Sequence, residues 1–576
     1  MKKIKLACTG ILLAAIFQVS GCATYGSGVE KALNSAKKGD YLAAETTISE
    51  VLTPDGVDRL LYNMELAVLK HLQGQYVESN QLLETAEKIA EELETNSATS
   101  SVSAFLTNPR NGDYRGADFE KVFINYYKTL NFMALGTSAS NKNDRLDAIE
   151  SARIESRRLG IRLNALNSDK GTYTEQKDED GEMLSQIFDL FDKLQGNLID
   201  VSKLQYRDDA LAHYLTGITY EANGELDNAR ISYRKSAVSY EEGFSEQFRL
   251  GSDMTSQAWF DTVRMMRKAG GFKNEWTRLA KEKLSASQRK ALTNFDNKSQ
   301  VVVIEHVGMV PQRKEMNIQL TANPVERSLE LRPYIGDKLT RQEKLAWFYV
   351  VYADKSLIDL VSKYADSNFT DFVLLDFAKS FPIGPAWDIA AEIGVLNAIG
   401  QGMRITVPYY APQVEKTGDS FVTVGDNQFV MQSASKPSIM GLNEQLLSAN
   451  TDIQLALTRG IFKALAAQKA GELAGGGLFT DLLKMGSQFS DAAETRNWLM
   501  LPKEVRVSRI ALDAGSYTVD VSSEVIQGQG PVNQSQQIIL QENELQIVQV
   551  RSMPNLNKAK VAAVASKEQN SIAAVE

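Results

Sequence analysis

The chain has 576 residues and a mass of 63.7 kDa, more than one ordinary domain holds, so roughly two to four units are expected. Hydrophobic residues make up 43% and charged residues 23%, which suits a folded chain and excludes collagen-like, disordered and multi-span membrane classes. A net charge of −9 argues against nucleic acid as the main partner, and two Cys with three His exclude a disulfide scaffold and a multi-cysteine zinc site.

Both cysteines lie at the start, Cys8 and Cys22. Lys2, Lys3 and Lys5 form a positive region, and Leu6 to Phe17 is an apolar stretch too short for a stable span. Val19-Ser20-Gly21-Cys22 follows and resembles the lipobox of bacterial lipoproteins. That resemblance implies cleavage between Gly21 and Cys22, removal of residues 1–21 as a signal peptide, and diacylglycerol on Cys22. Residues 22–28 then read as the linker from the anchor, and the membrane is a partner through that lipid. Ala23, in place of an acidic retention residue, points to the outer membrane with the body facing the periplasm. Losing the three lysines takes the charge balance from −9 to −12, so lipid rather than charge provides the attachment.

Residues 29–290 read as helical. The clearest unit is Asp208 to Tyr240, with Gly217, Tyr220, Gly224, Ala229 and Tyr233 at the spacings of a tetratricopeptide repeat. Small residues at Gly217 and Ala229 let two helices approach, Gly224 makes the turn, and Tyr220 and Tyr233 fill the layer between them. A second unit runs from Leu60 to Glu92, with Leu66 and Gly74 as its packing and turn positions. A truncated unit has Gly39, Tyr41, Ala44 and Ile48, and a fourth pair spans Phe119 to Leu159 with a polar insert. Stacked units of this kind form an α-solenoid, which offers a concave face to a protein. Asn96 to Gly116 and Asn167 to Glu182 read as loops. Asp178 to Glu182 lacks the spacing of a calcium loop.

After Gly270-Gly271 the period changes. Residues 299–552 read as a β-rich domain of about eight strands. They are Val301 to Ile304, Glu315 to Thr321, Met403 to Tyr410, a hairpin over Phe421 to Val430, and two further pairs. Those pairs are Val505 to Leu512 with Ser516 to Val521, and Gln537 to Leu540 with Leu545 to Val550, each read as a hairpin from its short turn. Helical insertions are expected over about 336–401 and 443–490, and residues 553–576 read as a disordered tail. The fold class is therefore α+β, an N-terminal tetratricopeptide-like α-solenoid followed by a β-sandwich-like domain with helical insertions.

Several stretches resemble a poorly characterised family of bacterial tetratricopeptide-containing outer-membrane lipoproteins. They are Tyr114 to Glu120 with Tyr126-Tyr127-Lys128, Leu211 to Lys235, Val302 to Lys314, and Glu494 to Trp498 with Leu501-Pro502. The segment from about Ser328 to Asp388 departs from the family's pattern. The resemblance implies a link to peptidoglycan synthesis, because family members are encoded near lipoproteins that activate penicillin-binding proteins.

No G-x-S-x-G, H-E-x-x-H or phosphate-loop pattern occurs, so no catalytic residue, metal or cofactor is expected. His306 stands beside Glu305 on a strand, where neighbours point to opposite faces and cannot pair. Arg496 and Glu494 are expected to pair beside Trp498, and Pro311 to Lys314 reads as a solvent-exposed basic turn. The expected function is a lipid-anchored adaptor that binds an envelope protein through its repeats. The alternative is a glycan- or small-ligand-binding lipoprotein with an aromatic cleft, and a periplasmic hydrolase ranks below it. Candidate contacts are Glu120, Trp347, Trp387 and Trp498.

Overall fold

The computed structural model describes residues 25–95, 109–168, 209–271, 273–295, 298–333, 379–384, 386–392, 394–400, 402–410, 416–445, 452, 456, 459–460 and 492–556. The leader with Cys22, the Asp178 to Glu182 stretch, Trp347, most of the second helical insertion and nearly all of the tail lie outside these residues.

The first half is built of helix hairpins. The pairs are α1 (Glu30–Lys37) with α2 (Tyr41–Val51), and α3 (Arg59–Leu72) with α4 (Tyr76–Thr95). Next come α5 (Asp118–Ser138) with α6 (Lys142–Ser168), and α7 (Ala210–Ala222) with α8 (Leu226–Ser239). The helices α9 (Asp253–Ala269) and α10 (Lys273–Lys283) close the series. Gly74 and Gly224 occupy the turns of their hairpins at φ +79° and +78°, a conformation glycine adopts without a Cβ penalty. The close approach read at Gly217 is present: a Cβ there would stand 2.6 Å from the Tyr233 ring. Ala229 and Tyr233 are fully buried, and Tyr220 is half-buried against the same core. Leu66 is buried as well.

The second half carries twelve strands in three four-stranded sheets among the described residues. The central sheet has the order β12-β1-β9-β8, from β1 (Ser299–Val307), β8 (Gln432–Ser435), β9 (Glu504–Leu512) and β12 (Leu545–Ser552). The second, β11-β10-β6-β7, holds β6 (Ser420–Val424), β7 (Asn427–Val430), β10 (Gly515–Ser523) and β11 (Val532–Leu540). The third, β4-β3-β2-β5, holds β2 (Arg313–Asn323), β3 (Ser328–Pro333), β4 (Lys379–Pro382) and β5 (Met403–Tyr410). The molecule is thus mixed helix and sheet, an α+β arrangement.

Two expected hairpins are not formed. The strands β9 and β10 do not pair: Asp513-Ala514 carries the chain from the central sheet to the second one. Nor do β11 and β12 pair, since β12 returns to lie parallel to β1. A short turn brings two strands close in sequence, but the burial of both faces decides which sheet each joins. The β6–β7 hairpin is present, turning at Gly425-Asp426. The first expected helical insertion contains β4, paired to β3, as well as short helices at Ala386–Glu392 and Val395–Ile399. In the second expected insertion, helix is described over 437–445, beginning ahead of Asn443.

Every residue of β1 is buried, because both of its faces are covered. Val302 and Ile304 face the helices and share one apolar cluster with α3, α5, α7 and α9. Val301 and Val303 face the second sheet and pack with Val422, Val424, Val519 and Val521. The order of layers is therefore helices, central sheet, second sheet, and the helical half shares its core with the strands.

Candidate functional site

Three of the stretches singled out in the sequence meet at one place, around the extended segment Ala492–Leu501. The first, Tyr114 to Glu120, makes the start of α5. Glu120 accepts from the Ala117 backbone N–H at 2.8 Å, closing the helix N-terminus, and from the Tyr114 hydroxyl. Its other oxygen accepts the Trp498 N–H at 2.8 Å. Nearly two turns into α3, Glu65 accepts from the N–H groups of Leu499 (2.7 Å) and Met500 (3.0 Å) and from the Tyr25 hydroxyl (2.7 Å). Two buried carboxylates on two helices thus hold three consecutive backbone amides of a segment without regular secondary structure.

Arg496 locks the other end. Its guanidinium donates to Glu494 (3.0 Å), Asp58 (2.7 Å), and the carbonyls of Pro109 (3.1 Å) and Gly112 (3.0 Å), and lies 5.6 Å from the Tyr114 ring. The third stretch, Val302 to Lys314, reaches the segment through Asn497. That side chain accepts the Arg313 N–H (3.2 Å) and donates to the Pro311 carbonyl (3.1 Å). Arg313 does not point into solvent as the basic turn suggested. It lies over the Tyr410 ring at 5.6 Å, mostly buried, because the clamped segment covers the turn.

Burial dominates the electrostatics. It pushes Glu65 up to about 7 against the pull of its three donors. It raises Glu120 as well, with Tyr114 and the Trp498 and Ala117 amides acting in the opposite direction. For Arg496 burial acts downward, but Glu494 and Asp58 outweigh it and hold the guanidinium above its usual value. A second buried network ties α7, α8 and α9 to β9. Arg264 donates to both oxygens of Glu221 at 2.6 Å and to Asp261 at 2.9 Å. Arg509 donates to Glu221 (2.6 Å), the Tyr233 hydroxyl (2.9 Å) and Gln300 (2.6 Å). Burial works to raise Glu221, and the two arginines overcome it and hold the carboxylate well below its usual range.

The expected candidates divide as follows. Glu120 and Trp498 contact each other, and Trp498 is fully buried, so it lines no opening. Trp387 is half-buried on the short Ala386–Glu392 helix, and Trp347 lies outside the described residues. The Arg496–Glu494 pair is formed. His306 faces the helices and bonds the Tyr126 hydroxyl at 2.9 Å, while Glu305 on the opposite face accepts from Ser552. His71 bonds Asn131 at 2.6 Å. Burial pushes His71 down to about 4 and His306 well below its usual value, so both rings are neutral at pH 7.

Glu65, Tyr25, Glu221 and Arg509 were missed as contacts. The sequence signal for Glu65 is an ionisable residue inside the apolar run Leu60 to Leu69. Glu221, Asp261 and Arg264 carry the same signal within apolar helix faces. Chemically the arrangement is one of holding: carboxylates and guanidinia fix backbone groups and each other. Among the described residues no group of three or more His, Cys, Asp or Glu could hold a metal ion, and no helix is long and apolar enough to cross a membrane. No known family, no curated protein and no solved structure matches the chain.

Proposed function

We propose that the protein is a lipid-anchored, periplasm-facing scaffold of the outer membrane that binds an envelope protein. In this reading an α-solenoid of tetratricopeptide-like repeats is fused to a β-sandwich-like domain, and the task is binding and positioning without chemistry. The observation that carries it is the clamp. The helices hold the extended segment 492–501 by its backbone amides, the way a repeat groove holds a partner peptide. Here that strip is used in cis, so a partner docks on the remaining helix surface. Leu146, Ile154 and Ile161 project from one side of α6 and are 49%, 43% and 69% exposed, a set of apolar contacts suited to a protein surface.

The N-terminus supports the tether. Tyr25 is buried and bonded to Glu65 only three positions after Cys22. Such a linker reaches about 10 Å, so an anchor at Cys22 would hold the body close to the bilayer. A link to peptidoglycan synthesis follows from the family resemblance alone.

Labelled palmitate and membrane fractionation test the anchor. Label and membrane association are expected in the native protein and not in Cys22→Ser, and their survival in that variant would sink it. Photo-crosslinkers at Leu146, Ile154 and Ile161 in intact cells test the scaffold. One discrete adduct at these positions, missing from a probe at Thr518 on the second sheet, is expected. Equal background at all four would overturn the reading.

A further inference from the structure

One cluster of buried groups is used neither by the clamp nor by the proposed scaffold. Arg551, on β12, points to the helix side of the central sheet and is buried. Its Nη2 donates to the carbonyls of Gly308 (2.7 Å) and Met500 (3.0 Å). Among the described residues the Tyr127 hydroxyl oxygen is the one acceptor near its Nε and Nη1, which are otherwise without partners, and no carboxylate there pairs with it. The guanidinium lies beside the Tyr127 hydroxyl of α5, and the Tyr127 ring stands 6.0 Å from that of Trp498, between centroids. The Tyr127 hydroxyl proton and the Trp498 Nε1–H also find no acceptor. All three residues are at least nine-tenths buried. Around them stand Tyr41, Tyr126, His71 and His306, which add rings and neutral imidazoles but no negative charge.

A lone buried cation is costly, and so is each unpaired buried N–H or O–H. A water molecule suits this junction poorly. It can accept two of these hydrogen bonds, but it carries no charge and leaves the guanidinium unneutralised. An anion accepts from all of them and neutralises the guanidinium. The donor atoms have essentially no solvent-accessible surface, so the occupant is fully enclosed, which favours a single atom over an organic acid. We propose that Arg551, Tyr127 and Trp498 form an internal site for one small monovalent anion of the halide class, with chloride as its ordinary occupant. The anion joins α5, the clamped segment and β12 at the junction of helices and sheet. It therefore acts as a ligand of the folded state only.

Thermal and urea unfolding of the full mature chain test this, with chloride raised at constant ionic strength against gluconate. Once chloride is well above its dissociation constant, each further tenfold rise should raise the folding equilibrium constant by about tenfold. Arg551→Met should abolish that dependence. Tyr127→Phe keeps the ring, removes one donor and should weaken it, which supplies a second variant should Arg551→Met not fold. Bromide-soaked crystals should show an anomalous peak within bonding distance of Arg551 Nε or Nη1. Stability independent of chloride, or equally dependent in wild type and both variants, would overturn the proposal, as would a water in place of the bromide peak.

Discussion

At the residue scale, burial inverts the usual behaviour of several ionisable groups, and pH makes this measurable. His71 has a folded pKa of about 4 against an ordinary 6.5. As pH falls through that window the unfolded chain gains a proton that the native state refuses, so stability is lost. Glu65 has a folded value of about 7 against 4.5, so between these pH values the native state holds the extra proton and acidification adds stability. Each effect amounts to about 3 kcal/mol at most, and in the shared window they oppose. Urea titrations at pH 7 and 4.5 should therefore show wild type losing stability relative to His71→Asn on acidification. Relative to Glu65→Gln, wild type should gain. Parallel pH profiles for all three proteins would contradict this assignment. Arg509 belongs to the same scale. Replacing it with Met leaves Glu221 and Asp261 facing one arginine, a loss of about 3–5 kcal/mol. In the double variant with Glu221→Gln the loss should fall short of the sum, and a double-mutant cycle measures the difference.

At the element scale, the clamped segment is the informative case. Residues 492–498 have no helix or strand, yet their neighbours Leu499 and Met500 share the core with Trp498. Hydrogen exchange of the amides of Trp498, Leu499 and Met500 should fall in the slowest class, together with β1. Fast exchange there would remove the clamp. Trp498→Ala should cost about 3–5 kcal/mol, read from the denaturation midpoint. The helix hairpins were legible because a 3.6-residue apolar period and a turn glycine are local signals, and Gly217 even marked the backbone approach to Tyr233. Gly217→Ala should destabilise by about 1–3 kcal/mol, since the added methyl meets the ring itself. The strands β1, β2 and β5 were legible from β-branched runs and alternation. Their partners were not, because β9 to β12 choose sheets by the apolar faces available around them, whatever the turn between them.

At the scale of the whole molecule, the helices and the central sheet share one apolar cluster, crossed by the Arg509–Glu221 pair and by the clamp. Unfolding followed by far-UV circular dichroism and by tryptophan fluorescence should give coincident midpoints. Two separated transitions would show that the halves are held apart. The sequence by itself determined the helical period of the first half, the runs that become β1, β2 and β5, the turn glycines Gly74 and Gly224, and that the class is α+β, since each depends on neighbours in the chain. Only the tertiary structure decided that Glu65 and Glu120 grip a segment more than 370 positions away, that Trp498 is interior, and that Arg551 has no carboxylate partner among the described residues. Those outcomes depend on which groups share a buried volume, and that is set by packing between parts of the chain that no local pattern connects.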